Sequence, residues 1–304
     1  YGHFCWRLKE HLGSDKLNQF ISQYKSNKPV FSLSDGLLKD ENEILFPRPL
    51  VFSKPELKET KSEKIIEFIQ RKSDKEQKYL TLSEMNEFLK TGKVVLSKQN
   101  TDGKTDKLKR TKPIRIEDLR VSVQIDRNTL GSSEGKLFSY NPTYTDSSVS
   151  FILLIKVLDE SLFEQFSCDK ILKDVFNIGF GKKKSSGYGQ FEIGELVEFN
   201  DLEEPTDSDA FLSLGNYLPS FGDHATPIGY DINTKYGKLG EELSQSENPF
   251  KNPIVLLRAG SCFKTTRPNL YYGRITKEGE ISSSCRFAVQ FGIPFILNFR
   301  SSVR

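Results

Sequence analysis

The chain has 304 residues, 36% hydrophobic and 28% charged, the balance of one large or two ordinary globular domains rather than of a disordered or fibrous protein. Forty-four basic residues against forty-one acidic ones leave a formal charge of only +3, so a surface for a polyanion must come from local clustering. Cys5, Cys168, Cys262 and Cys285 form no CxxC pair and have no histidine set beside them, which excludes a zinc motif and fits the reduced thiols of a cytoplasmic protein, and no apolar run approaches the roughly 20 residues of a membrane span.

Residues 2–25 carry apolar side chains at Phe4, Leu8 and Leu12 and read as a helix. The first residue is Tyr1 rather than methionine, and a β-strand is expected ahead of this helix. An extended PVFSLSDGLL follows, then FPRPL, whose two prolines forbid helix. From Lys54 to Lys78, eight basic and six acidic residues surround Ile65, Ile66, Phe68 and Ile69, the composition of a solvated, mixed-charge helix. Between Lys104 and Arg115, six basic residues face only Asp106, which suits either a flexible charged insertion or a loop that contacts RNA or a partner.

Further along, RVSVQID reads as a strand, SVSFILLIKV as a longer buried strand, and SLFEQFSCDKILKDVF as one helix. A glycine loop, GFGKKKSSGYG, comes next, and YGQFEIGELVEF alternates as a strand would. One strand added upstream makes this order the βαββαβ ferredoxin-like unit. From Phe191 to Ala210 there are eight acids and no Lys or Arg. This shift, with Pro205, divides the chain into residues 1–205, with an insertion at about 54–118, and a smaller β-rich α+β domain at 206–304. The latter is built from FLSLGNYLP, KYGKLGE, NPIVLLRAGSCF, LYYGRI and VQFGIPFIL.

The loop of Gly179, Phe180, Gly181, Lys182, Lys183, Lys184, Ser185, Ser186, Gly187, Tyr188 and Gly189 brackets three lysines and two serines with glycines free to take left-handed angles. It is not a P-loop, because Phe176 stands where the first glycine belongs, and it precedes no helix. A Rossmann fingerprint fails for the same reason of order. Three successive lysines suit a run of phosphates, with Ser185 and Ser186 as hydroxyl donors and Phe180 or Tyr188 available for base stacking. The plain alternative is an exposed hairpin with incidental lysines.

With these segments, the chain resembles the RAMP proteins of CRISPR systems, marked by a glycine-rich loop after the second helix of a ferredoxin-like unit. Within them it resembles most the fourth-subunit family of type III-A Csm effector complexes. The likeness is carried by GFGKKKSSGYGQF, YGHFCWRLKE, LSDGLL with FPRPL, IDRNTLGSSEGKLF, KYGKLGE, NPIVLLRAGSCF, YYGRI and FGIPF. It implies two ferredoxin-like (RRM-like) domains and a noncatalytic subunit without cofactor or metal. Such a subunit binds the repeat-derived 5′ tag of CRISPR RNA at residues 179–189 and meets target RNA near the guide's 5′ end. Its protein partners are the large polymerase-like subunit and the backbone RAMP subunits. The resemblance also puts Arg127 and Lys136 in an RNA-facing hairpin segment, near Asn128, Thr129 and Leu130. Arg48, between Pro47 and Pro49, is a further RNA candidate or a structural arginine.

Some RAMP relatives cut CRISPR repeats without metal, using a histidine near the first helix. His3 and His11 are the candidates for that alternative, and His224 falls in a loop. The sequence contains no HD pair, GGDD-like run or HxH for metal chemistry.

Overall fold

A computed structural model describes residues 1–51, 77–95, 115–177, 179–181 and 186–301. The basic window at 104–114, nearly all of the expected helix at 54–78, and Lys182, Lys183, Lys184 and Ser185 therefore lie outside the described residues.

Helix α1 (Gly2–Lys25) buries Phe4, Leu8, Phe20 and Tyr24 and kinks at Gly13, whose φ of 87° breaks the helical path. Strands β1 (Phe31–Leu33), β2 (Leu37–Asp40) and β3 (Glu43–Pro47) follow, then β4 (Tyr79–Leu80) and α2 (Leu82–Thr91). The helix α2 is specified locally. Thr81 and Glu84 close a capping box at its start, and Gly92, at φ 65°, ends it.

Next come β5 (Arg115–Glu117), β6 (Arg120–Ile125), β7 (Ser132–Tyr140), β8 (Thr143–Thr145), β9 (Val149–Ile152) and β10 (Ile155–Val157), then α3 (Glu160–Gln165) and α4 (Cys168–Val175). The remaining strands are β11 (Ala210–Ser213), β12 (Ala225–Gly229), β13 (Ile232–Lys235), β14 (Ile254–Leu257), β15 (Cys262–Thr265), β16 (Arg274–Ile275), β17 (Phe291–Gly292) and β18 (Ile296–Phe299). β1 pairs with β10, and β4, β3, β2 and β9 form a four-stranded sheet. A second four-stranded sheet has the order β12, β15, β11, β18.

Three expectations are corrected. The long strand at 148–157 is two short ones, β9 and β10, which pair with β2 and β1 in different sheets. The helix expected over 161–176 is α3 and α4, separated at Ser167, whose φ of 48° is left-handed. The strand expected over 188–199 forms no ladder among the described residues. Alternation there supplies the period of a strand but not a neighbour to pair with, and Phe191, Ile193 and Val197 remain exposed.

Two large cores hold the molecule. In the first, α1 and α4 close over β1 with Phe291 and Ile293. In the second, Met85, Phe88 and Leu89 of α2 pack with Leu37, Leu212, Leu297 and Phe299. Both cores draw on residues from either side of residue 205. The backbone also joins the halves, since Asp35 N–H donates to Leu214 O at 2.7 Å and Phe295 N–H to Leu33 O at 2.8 Å.

Candidate nucleic-acid interface

The glycine loop leaves α4 at a pinched neck. Phe180 N–H donates to Gly189 O at 2.7 Å. The two chains approach so closely that a Cβ on Gly189 would lie 1.9 Å from Phe180 O, and Gly189 itself sits at φ 71°. Gly179, Gly181 and Gly187 also have positive φ, so these glycines are required by backbone geometry and not only by chain flexibility.

Aromatic side chains fix both ends of the neck. The Phe180 ring lies 5.7 Å from that of Phe176 and 5.0 Å from that of His3. Tyr188 meets Tyr140 edge to face at 6.2 Å. Hydrogen bonding with Tyr140 and Tyr144 pushes the Tyr188 hydroxyl up to about 12, because a phenol engaged this way resists losing its proton. Tyr144 in turn accepts from Arg120 Nη2 at 3.5 Å, and Arg120 Nε donates to Asp118 at 2.8 Å. Nothing in the residue pattern singles out Tyr140, Tyr144 or Arg120; their meeting with the loop is a tertiary fact.

Tyr140 is the last residue of the β6–β7 hairpin. Residues 126–131 form its tip, where Asp126 Oδ1 accepts from the backbone N–H of Asn128 at 2.8 Å and of Thr129 at 3.1 Å. These two donors hold the Asp126 carboxyl below the usual carboxylate range. Arg127 is therefore at the tip, and Lys136 lies in a bulged stretch of β7 beside Gly135 at φ 69°. Val121, Val123, Ile125 and Leu137 are exposed on one face and Phe138 on the other. A two-stranded ribbon without a core beneath it is marginal alone, and this one carries apolar surface on both faces.

The structure thus brings the neck of the loop to the root of the hairpin. Arg48 is elsewhere: its Nη1 donates to Gln77 O at 3.5 Å, and its carbonyl abuts Gly260. His3 stands at the neck, while His11 is on the outer side of α1, with Nε2 2.9 Å from Asp174 Oδ2. His224 ends a short 3-10 turn in left-handed conformation.

Beside the neck opens a groove of about 3590 Å³. β9, β10, Phe180 and Gly181 line it with the acidic 190–199 stretch and the segment from Lys235 to Gly240. Glu203 and Glu204, past that stretch, are held within the chain. Glu203 pairs with Lys90, and Glu204 accepts from the backbone and side-chain amides of Asn298 at 2.8 and 2.7 Å.

Among the described residues, no group of three or more His, Cys, Asp and Glu side chains could hold a metal ion, and no helix is long and apolar enough to cross a membrane.

No family model matches the chain, and no curated protein matches it. Solved structures do. A chain of the Csm3–Csm4 subcomplex of a type III-A CRISPR–Cas interference complex superposes with a TM-score of 0.61 at 17% identity, over 98% of this chain and 91% of that one. A chain of a Csm1–Csm4 cassette in complex with cA4 gives 0.57 at 12% identity, over 100% and 91%. The same cassette with pppApA gives 0.57 at 11%, over 100% and 90%. The protein shares the α+β fold of these chains, and the likeness in fold runs end to end, as the sequence resemblance implies.

Proposed function

We propose that the chain is the Csm4-type subunit of a type III-A CRISPR interference complex. In this reading it is a noncatalytic protein that holds the 5′ tag of the guide RNA and bridges the polymerase-like subunit to the backbone subunits. It does so through two RAMP domains that divide near residue 205.

The observation that carries the reading is the junction at Tyr188, where the pinned neck of a loop containing Lys182, Lys183 and Lys184 meets the root of an exposed hairpin with Arg127 at its tip. Loop lysines grip phosphates without reading sequence, and the hairpin, Lys136 included, extends that surface toward the base-paired end of the guide. Arg48 is a lesser contributor. The subunits named in the structures of similar fold, Csm1 and Csm3, supply the protein partners. The acidic stretch 192–198 repels phosphate and faces protein.

Exchanging Lys182, Lys183 and Lys184 for alanine tests this in the assembled complex. Guide retention should fall, and the slope of log affinity against log salt should flatten by about 2, at roughly 0.7 per lost phosphate contact. Unchanged retention and slope would remove the loop from the interface.

A second reading follows from His3, whose ring is 5.0 Å from Phe180 at the neck: metal-independent repeat cleavage by general acid–base catalysis. RNA shortened in EDTA by the wild-type chain but not by His3→Ala would favour it over simple binding.

A further inference from the structure

The KYGKLGE segment is left unused by the reading above, yet it carries a second aromatic surface. The rings of Tyr236 and Phe250 lie nearly parallel, 8° apart in plane with centroids separated by 6.3 Å. Both residues are more than half exposed, at 62% and 54%. They are not a stray contact. Lys238 bridges antiparallel to Phe250, Lys251 N–H donates to Gly237 O at 2.9 Å, and Leu239 N–H donates to Pro249 O at 2.7 Å. This short ribbon puts Tyr236 and Phe250 in diagonal positions on one face. Buried Leu239 anchors it, as does Asn252, whose backbone N–H donates to Ile281 O at 2.7 Å.

Three lysines flank the pair: Lys235, Lys238 and Lys251. None makes an ion pair within 4 Å among the described residues. Burial lowers the pKa of Lys235 and of Lys251; Asp35 opposes this at Lys235, and Lys235 adds to it at Lys251. Open, nearly parallel rings beside lysine side chains are what a single strand of nucleic acid needs: π-faces for bases and cations for phosphates. A protein ligand would leave the rings satisfied but would have to bring several acids for the lysines.

The location agrees. Tyr236, Lys238 and Phe250 line the same groove as Phe180 and Gly181, and Glu192, Glu195 and Glu198 line another part of it.

We propose that Tyr236 and Phe250, with Lys235, Lys238 and Lys251, form a second binding site for single-stranded RNA, on which one or two nucleobases stack. The inference rests on the RNA-binding reading but assigns a different part of the surface.

The test uses the full chain and a short single-stranded RNA carrying 5-iodouridine, read by fluorescence anisotropy and by mapping photocrosslinks. Crosslinks should fall in residues 236–251, and the double variant Tyr236→Ala/Phe250→Ala should bind about tenfold more weakly. Lys238→Glu should weaken binding in the same direction, while Tyr236→Phe, which keeps the ring, should bind like wild type. If the double variant binds normally and crosslinks map only to 179–189, this second site is wrong and the glycine-loop reading stands. If the wild-type chain neither binds nor crosslinks the RNA, both are wrong.

Discussion

Tyr140, the last residue of the exposed hairpin, and Tyr188, in the glycine loop, are 48 positions apart in sequence and meet edge to face with ring centroids 6.2 Å apart. Through this contact and the hydroxyl of Tyr144, two surfaces that could each move alone become one.

The Tyr188 hydroxyl, raised from 10.0 to about 12 by its tyrosine partners, reports on this junction. A folded-state pKa above the unfolded value stabilises the fold fully below pH 10, and that contribution is lost as pH rises through 12. Ultraviolet titration of wild type and Tyr188→Phe should therefore differ by one phenol ionising with its midpoint near pH 12. A difference confined to the range near 10 would mean that the cluster is not hydrogen-bonded in solution.

Asp223 organises the interior of the C-terminal half. Its Oδ2 accepts from the buried Tyr217 hydroxyl at 2.7 Å and from Ser220 N–H at 2.7 Å, and Gly273 N–H also donates to the carboxylate. Removing the acceptor leaves several buried donors unpaired, at a cost of about 1–3 kcal/mol for each group left without a partner. Asp223→Ala should thus lower stability by roughly 3–5 kcal/mol in urea unfolding, without touching the loop or the hairpin. A loss under about 1 kcal/mol would show that water replaces the carboxylate.

How much of this was legible in the residues varies with the range of the interaction. Local signals held: apolar spacing gave α1, and alternation in RVSVQID gave β6. The left-handed glycines of the loop fell where the composition put them. What failed was pairing. SVSFILLIKV looks like one buried strand, but its halves find different partners, β2 and β1. YGQFEIGELVEF has strand period but, among the described residues, forms no ladder. At the candidate site, the glycine loop carries a motif in its residues, whereas Tyr140, Tyr144 and Arg120 carry none and come together only because the hairpin root folds onto the loop.

Helix α2 shows the same limit from the other side. It falls in a window that sequence marks only as an insertion, yet Phe88 is fully buried and its ring lies 4.7 Å from that of Phe299 in β18. Phe88→Ala should cost about 3–5 kcal/mol, the usual penalty for emptying a large core site, and calorimetry should show the loss. If stability changes by less than about 1 kcal/mol, the helix is an ornament and not part of the second core.

The neck of the glycine loop offers the sharpest separation of binding from folding. Gly189 combines φ 71° with a Cβ position only 1.9 Å from Phe180 O, so Gly189→Ala must break the 2.7 Å hydrogen bond between Phe180 N–H and Gly189 O. Left-handed backbone costs an alanine about 1–2 kcal/mol, and neither Phe180 nor Gly189 belongs to the large cores. The molecule can therefore relieve the clash by opening the neck instead of unfolding. The thermal midpoint should drop by only a few degrees, of the order expected for that energy in a chain of this size. Guide retention should fall at least as far as in the lysine variants, because Lys182, Lys183 and Lys184 lie in the loop that this neck closes. Retention at the wild-type level in a folded Gly189→Ala protein would mean that the pinched geometry serves only the chain's own turn, and that phosphates are held by another surface.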